Sequence, residues 1–195
     1  MDDHGNRGPD PRVVRSQQAA LTAARELLAE EGWPGVTHVA VAARSGVGRT
    51  TLYRHWPDVR ALLFDAIVQQ INQIRRVPTG DLRADLTGEL NGLRLLLEDP
   101  VTERCIRAIL DRAPFDPALG KLKEALYQAG ASGFLAILET ARAHGQLTPG
   151  TETTTIIEQL AGPLFYRRLF AGRHIDTGYV DTIVDDVLHV HGVNT

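Results

Sequence analysis

The sequence predicts an all-α protein of about nine helices, and three observations carry that prediction. Apolar residues recur at spacings of three and four, as in Leu82, Leu86, Leu90, Leu93 and Leu97. No segment of useful length alternates with a period of two except Val36 to Val41, so strands are not expected elsewhere. Proline and glycine mostly punctuate the periodic stretches instead of interrupting them. The chain has 195 residues, 43% hydrophobic and 23% charged, which is enough apolar material for one domain or two small ones and unlike a disordered chain.

The elements follow in order. Residues 1–12, rich in breakers, read as a flexible N-terminal arm. Val14, Leu21, Ala24, Leu27 and Leu28 mark a first helix, which Gly32 closes before the Trp33-Pro34-Gly35 turn. Thr37 suits the N-cap of a short helix to Arg44. Ser45-Gly46-Val47-Gly48 breaks the chain, and Arg49 to Trp56 forms another short helix. Asp58, after Pro57, caps a longer helix to about Arg76. Beyond Pro78-Thr79-Gly80 the pattern predicts a helix over 81–98 and one opening at Pro100 that runs to about Arg112. A long helix follows from Pro117 to Gly145. The last two helices cover Thr151–Ala171, kinked at Gly162-Pro163, and Thr177–His189.

Composition excludes several classes. Cys105 is the single cysteine, so neither an intrachain disulfide nor a thiolate zinc site is available. Apolar runs such as Val39–Ala43 fall far short of the ~20 residues that span a bilayer. The start, Met1-Asp2-Asp3-His4, is acidic and unlike a signal peptide, so a cytoplasmic protein with no membrane partner is expected. Asp185, Asp186, His189 and His191 read as exposed ion pairing, and no metal site is expected.

The net charge of −3 hides an asymmetry. Between Glu31 and Asp58 there is no acid, but there are Arg44, Arg49, Arg54, His38 and His55. An acid-free basic window in an acidic chain suits a surface facing a polyanion.

Three readings compete for residues 36–56. A phosphate loop would place its G-x-x-x-x-G-K-[ST] pattern on Ala43 to Thr50, where Ala43 replaces the first glycine and Arg49 the lysine, and it would need a parallel sheet. A purely structural helical hairpin explains the apolar positions but not the basic, acid-free outward ones. A helix-turn-helix explains both. In that reading Val41, Ala42, Val47 and Leu52 pack the two helices together, and Gly46 permits the turn. Arg49, Thr50 and Thr51 then stand at the N-terminus of the second helix, the end that enters the major groove. There Arg49 can read guanine and a threonine methyl can pack on thymine. Tyr53 and His55 suit backbone phosphates, as does the Thr37 end of the first helix.

The stretch from Thr37 to Leu63 resembles the TetR (tetracycline-repressor) family of bacterial transcriptional regulators. Thr37, Val41-Ala42, Gly46-Val47, Thr51-Leu52-Tyr53-Arg54-His55-Trp56, Pro57 and Leu62-Leu63 carry the resemblance. Gly162-Pro163-Leu164-Phe165-Tyr166-Arg167 and Asp176 to Leu188 look like one C-terminal domain type of that family. Two departures stand out. Gly48 occupies a position where the family usually has serine or a similar cap, and Val59 replaces a lysine that commonly grips phosphate.

The resemblance implies a DNA-binding domain over 13–57 and a helical ligand-binding and dimerisation domain over 58–195. It implies DNA contacts from Thr37, His38, Arg44, Gly48, Arg49, Thr50, Thr51, Tyr53, Arg54 and His55. An effector pocket is implied, with Leu93, Cys105, Leu110, Phe115, Tyr127, Phe134 and Tyr166 as candidate walls. A dimer interface is implied on Ile156, Leu160, Leu164, Tyr179, Val180, Ile183, Val184 and Val187, for which packing inside the chain is the alternative. The expected protein is a homodimeric, ligand-responsive repressor of a palindromic operator, with no catalytic residues and no cofactor. The competing classes are an all-helical small-molecule binder or enzyme with an incidental basic surface, and a module whose basic face meets an acidic partner.

Overall fold

The structure is a computed structural model that describes residues 11–193. It divides into two compact units at Ala66/Ile67, inside a helix. The first unit holds α1 (Pro11–Glu31), a 3-10 turn (Trp33–Gly35), α2 (His38–Ser45), α3 (Arg49–His55) and the first half of α4 (Val59–Ile74). The second holds the rest of α4, then α5 (Leu82–Glu98), α6 (Pro100–Arg112), α7 (Pro117–Ala143), α8 (Thr153–Phe165), a π-helical turn (Tyr166–Phe170) and α9 (Thr177–His191).

The expected elements are present, and their ends show how the sequence sets them. Helix α1 starts at Pro11, so residues 11 and 12 are helical and not part of an arm; the rest of the expected arm lies outside the described residues. Aspartates begin most of the later helices: Asp58, Asp81, Asp99, Asp116 and Asp176 each accept a backbone N–H of the first turn. Pro100 and Pro117 sit in first turns, where a missing N–H costs nothing.

The first unit packs Ala20, Leu21, Ala24, Leu27 and Leu28 of α1 with Val41, Leu52, Trp56, Leu62 and Leu63 as buried core. Each fully buried leucine contributes about 1.5–3 kcal/mol by leaving water. The burial of Leu62, Leu63 and Ala66, and the bond from Trp56 Nε1 to Asp65 at 2.8 Å, tie the start of α4 to this unit. That is why the division falls nine residues beyond the expected boundary at Pro57.

The second unit is built on a core of Leu86, Leu90 and Leu97 from α5, Phe134, Ile137 and Leu138 from α7, and the inward faces of α8 and α9. The end of α8 departs from the expected kinked helix. Pro163 removes an N–H, and the Tyr166 N–H is shared between the carbonyls of Gly162 and Pro163. The chain then widens into the π turn, where the Ala171 N–H reaches the Tyr166 carbonyl at 2.9 Å.

Candidate nucleic-acid interface and a cavity in the second unit

The α2–turn–α3 segment is set by short-range chemistry. Thr37 is extended, and its Oγ1 accepts the Ala40 N–H at 3.0 Å, which fixes the start of α2. Gly46 ends α2 with φ 71, a left-handed conformation that glycine adopts without strain. Ser45 Oγ donates to the Val41 carbonyl at 2.7 Å and accepts the Val47 N–H at 3.2 Å, closing the turn. Gly48 is extended at the N-cap of α3 and supplies no side-chain cap, so the first amides of α3 lack the bond a serine would give.

Buried anchors hold α3 in place. Val41 and Leu52 are fully buried, and Trp56 nearly so. His38 is also buried, at 6% exposure. Its Nε2 donates to the Trp56 carbonyl at 2.8 Å, and its ring stacks on Tyr53 with centroids 4.1 Å apart. His38 therefore braces the start of α2 against the end of α3 and is not presented outward, which corrects its expected place among the DNA contacts.

The remaining candidates divide. Gly48, Arg49, Thr50, Tyr53 and Arg54 are exposed, Tyr53 at 54%; Thr51 and His55 are half-buried. His55 Nδ1 lies 3.4 Å from Gln17 Nε2 of α1. Arg44 is committed elsewhere: its guanidinium donates to Glu30 at 2.7 Å and lies 3.8 Å from Glu31, and the Glu30 bond raises its pKa. Arg60, next to Val59, lies 3.7 Å from Asp58. Asp58 is itself held below the ordinary carboxylate range, chiefly by the Ala61 N–H. The outward face of α3 thus carries arginine, hydroxyls and a phenol with no acid.

The second unit contains a cavity of about 940 Å3. Ile67, Ile71 and Ile74 of α4, Leu93 and Leu96 of α5, Ile106 and Leu110 of α6, Tyr127 and Phe134 of α7, and Phe165, Leu169 and Phe170 beyond Pro163 supply an apolar wall. Of the seven wall candidates, Leu93, Leu110, Tyr127 and Phe134 line it. Cys105 is buried but outside the wall, Phe115 is 85% exposed, and Tyr166 is exposed and stacked on Phe170. Sequence reasoning missed Glu89, which also lines the cavity. Its desolvation pushes its pKa up, and Arg75 pulls the other way.

The expected dimer residues need a correction. Ile156, Leu160, Leu164, Val180, Ile183, Val184 and Val187 are buried in the core of their own chain, and Tyr179 packs beneath Arg167 at 4.2 Å. The apolar stripe is the inward face of α8 and α9. Asp185 pairs with Arg83 of α5 at 2.8 Å, and His191 bonds Gln159 at 2.7 Å. Among the described residues no group of three or more His, Cys, Asp or Glu could hold a metal, and no helix is long and apolar enough to cross a membrane.

Residues 20–66 match the family of bacterial regulatory proteins called the tetR family, and residues 77–187 match the tetracyclin repressor-like C-terminal domain. An uncharacterized HTH-type transcriptional regulator of Bacillus subtilis is 28% identical over 177 residues, covering 89% of this chain and 88% of that protein. A DNA-binding transcriptional repressor TetR of Mycobacteroides abscessus is 28% identical over 178 residues, 88% of this chain and 91% of that one. The crystal structure of the TetR family transcription regulator SCO0332 superimposes with a TM-score of 0.73 at 30% identity, covering 93% of this chain and all of that one. Two matching domains and a full-length likeness at that identity place the exposed face of α3 in a known setting: the chain belongs to the tetR family of bacterial regulatory proteins and is an HTH-type transcriptional regulator.

Proposed function

We propose that the chain is a repressor that binds a palindromic operator as a homodimer and lets go when a small molecule enters the cavity. The exposed, acid-free face of α3 on a buried Leu52–Trp56–His38 footing carries the DNA part of this reading. Arg49 and Thr50 are its base readers; Tyr53, Arg54 and the Thr37 end of α2 are its phosphate contacts. Two such faces need a dimer, because half-sites lie about 34 Å apart or at a related spacing. The surface left for that dimer is the outward side of α8 and α9, including Thr155, Gly162, Gly178 and Thr182.

The cavity supports the effector part of the reading. Regulators of the same fold, at 15% and 18% identity, have been solved with choline and with triclosan. Here Ile67, Ile71 and Ile74 of α4 line the cavity, and the same helix begins next to Trp56 and Pro57. A ligand that prefers one position of α4 shifts the population of DNA-competent dimers by its differential affinity alone.

Selection of genomic fragments by the purified protein at moderate salt tests the proposal. A short palindrome is the expected result, and Arg49→Ala blurs it at one position while costing roughly 1–3 kcal/mol. Equal weakening on all sequences would remove Arg49 from base reading. No enrichment, either before or after unfolding and refolding to strip bound ligand, would overturn the operator reading.

A further inference from the structure

Glu89 is an oddity in the cavity. It sits on the apolar face of α5, between Leu86 and Leu93, and lines a chamber whose walls are otherwise mostly aliphatic and aromatic. Among the described residues its carboxylate has no hydrogen-bond or ion-pair partner. Arg75 donates to two neutral groups, the Ala129 carbonyl and Ser132 Oγ, at 2.8 and 2.6 Å, and its charge acts on Glu89 without an ion-pair contact. Glu89 is half-buried, and a charge that gives up part of its water without gaining a partner is costly.

The neighbouring helix is shaped around that carboxylate. A Cβ on Gly133 of α7 would collide with the Glu89 carboxylate, so glycine leaves the notch that seats it. A Cβ on Gly130 would meet nothing, which keeps the wall open one turn earlier. Tyr127 and Phe134, three residues before and four after Gly130, share that face of α7 and put aromatic rings on the same wall.

The other charges at the cavity do not answer Glu89. Arg107 donates to Glu103 at 2.8 Å and to the carbonyls of Leu169 and Arg168 at 2.7 and 3.2 Å. Lys123 and Glu124 are adjacent, opposite and exposed to solvent.

We propose that the effector is a cationic amphiphile, an apolar body carrying one amine or quaternary ammonium, with Glu89 as its counter-charge and Tyr127 and Phe134 as its aromatic flank. This rests on reading the cavity as the effector site. A cation completes the missing ion pair and meets ring faces that attract positive charge. An anion of the same shape is repelled by Glu89, and a neutral molecule leaves the carboxylate unpaired.

Calorimetric titration of the full chain with octyltrimethylammonium, 1-octanol and octyl sulfate separates these cases, since the apolar tail is held constant. The cation is expected to bind about tenfold or more tightly than the alcohol, and the sulfate most weakly. In Glu89→Gln, which keeps the side chain's size in the notch, the cation falls to the level of the alcohol while the alcohol is unchanged. Glu124→Gln, at the solvent-exposed end, keeps the wild-type order. Equal binding of cation and alcohol, or a preference that survives Glu89→Gln, would overturn the proposal and leave the cavity as an effector site. Failure of all three probes to bind would overturn the cavity reading and this proposal with it.

Discussion

His38→Ala tests whether this histidine is a brace or a DNA contact. The substitution removes the donor that meets the Trp56 carbonyl at 2.8 Å in a buried setting. Stranding a buried acceptor costs about 1–3 kcal/mol. Losing the ring that stacks on Tyr53 at 4.1 Å costs about 0.5–1.5 kcal/mol more. Together the first unit is expected to lose ~2–4 kcal/mol, lowering its urea midpoint by about 1 M or more. The assay is intrinsic fluorescence, because the chain's two tryptophans, Trp33 and Trp56, both lie in that unit. Below the new midpoint the variant keeps the wild-type operator sequence. A stability change within about 0.5 kcal/mol, the range of ordinary surface substitutions, would refute the bracing role. So would a changed base preference in folded protein.

Two further outcomes follow from the same geometry. Gly46→Ala forces a Cβ into φ 71, although nothing lies within 4 Å of it; a loss of about 1–2 kcal/mol is expected from the backbone alone, read in the same fluorescence melt. Glu89→Gln is expected to be more stable than wild type at neutral pH. Desolvation raises the folded pKa of Glu89 above its ordinary 4.5, so ionised Glu89 subtracts stability above that folded value. The penalty shrinks as pH falls through the folded pKa and is gone below 4.5, so the two proteins' melting temperatures should converge there. A gap unchanged between pH 7 and pH 4 would refute the assignment.

The helices were legible because the three-and-four spacing and the capping residues are local signals. Thr37 and Asp58 cap the helices that follow them, Pro100 and Pro117 each open a helix, and nothing distant enters those decisions. The exposed half of the α3 face was legible for the same reason, as Arg49, Thr50, Tyr53 and Arg54 follow from one short helix and its turn. His38 and Arg44 were not, since their partners are remote in the chain. Trp56 is 18 residues from His38, and Glu30 is 14 from Arg44. The stripe on α8 and α9 shows a different limit. Apolar spacing says that a face is covered, not whether its own chain or another covers it, and here the chain's own core does. Glu89 did leave a trace. It lies three residues after Leu86 and four before Leu93, a carboxylate in phase with a leucine stripe.

The burial of Cys105 gives the second unit a built-in clock. The only thiol in the chain lies fully buried on α6, next to Ile106, which faces the cavity. A thiol reagent reacts with it only when that region opens, so the alkylation rate of unmodified protein reports the opening equilibrium when closing outpaces reaction. A compound that binds only the closed unit at about 100 times its Kd should slow that rate about 100-fold. Effectors can therefore be screened on the native chain with neither DNA nor an attached dye, by which compounds protect a single sulfur.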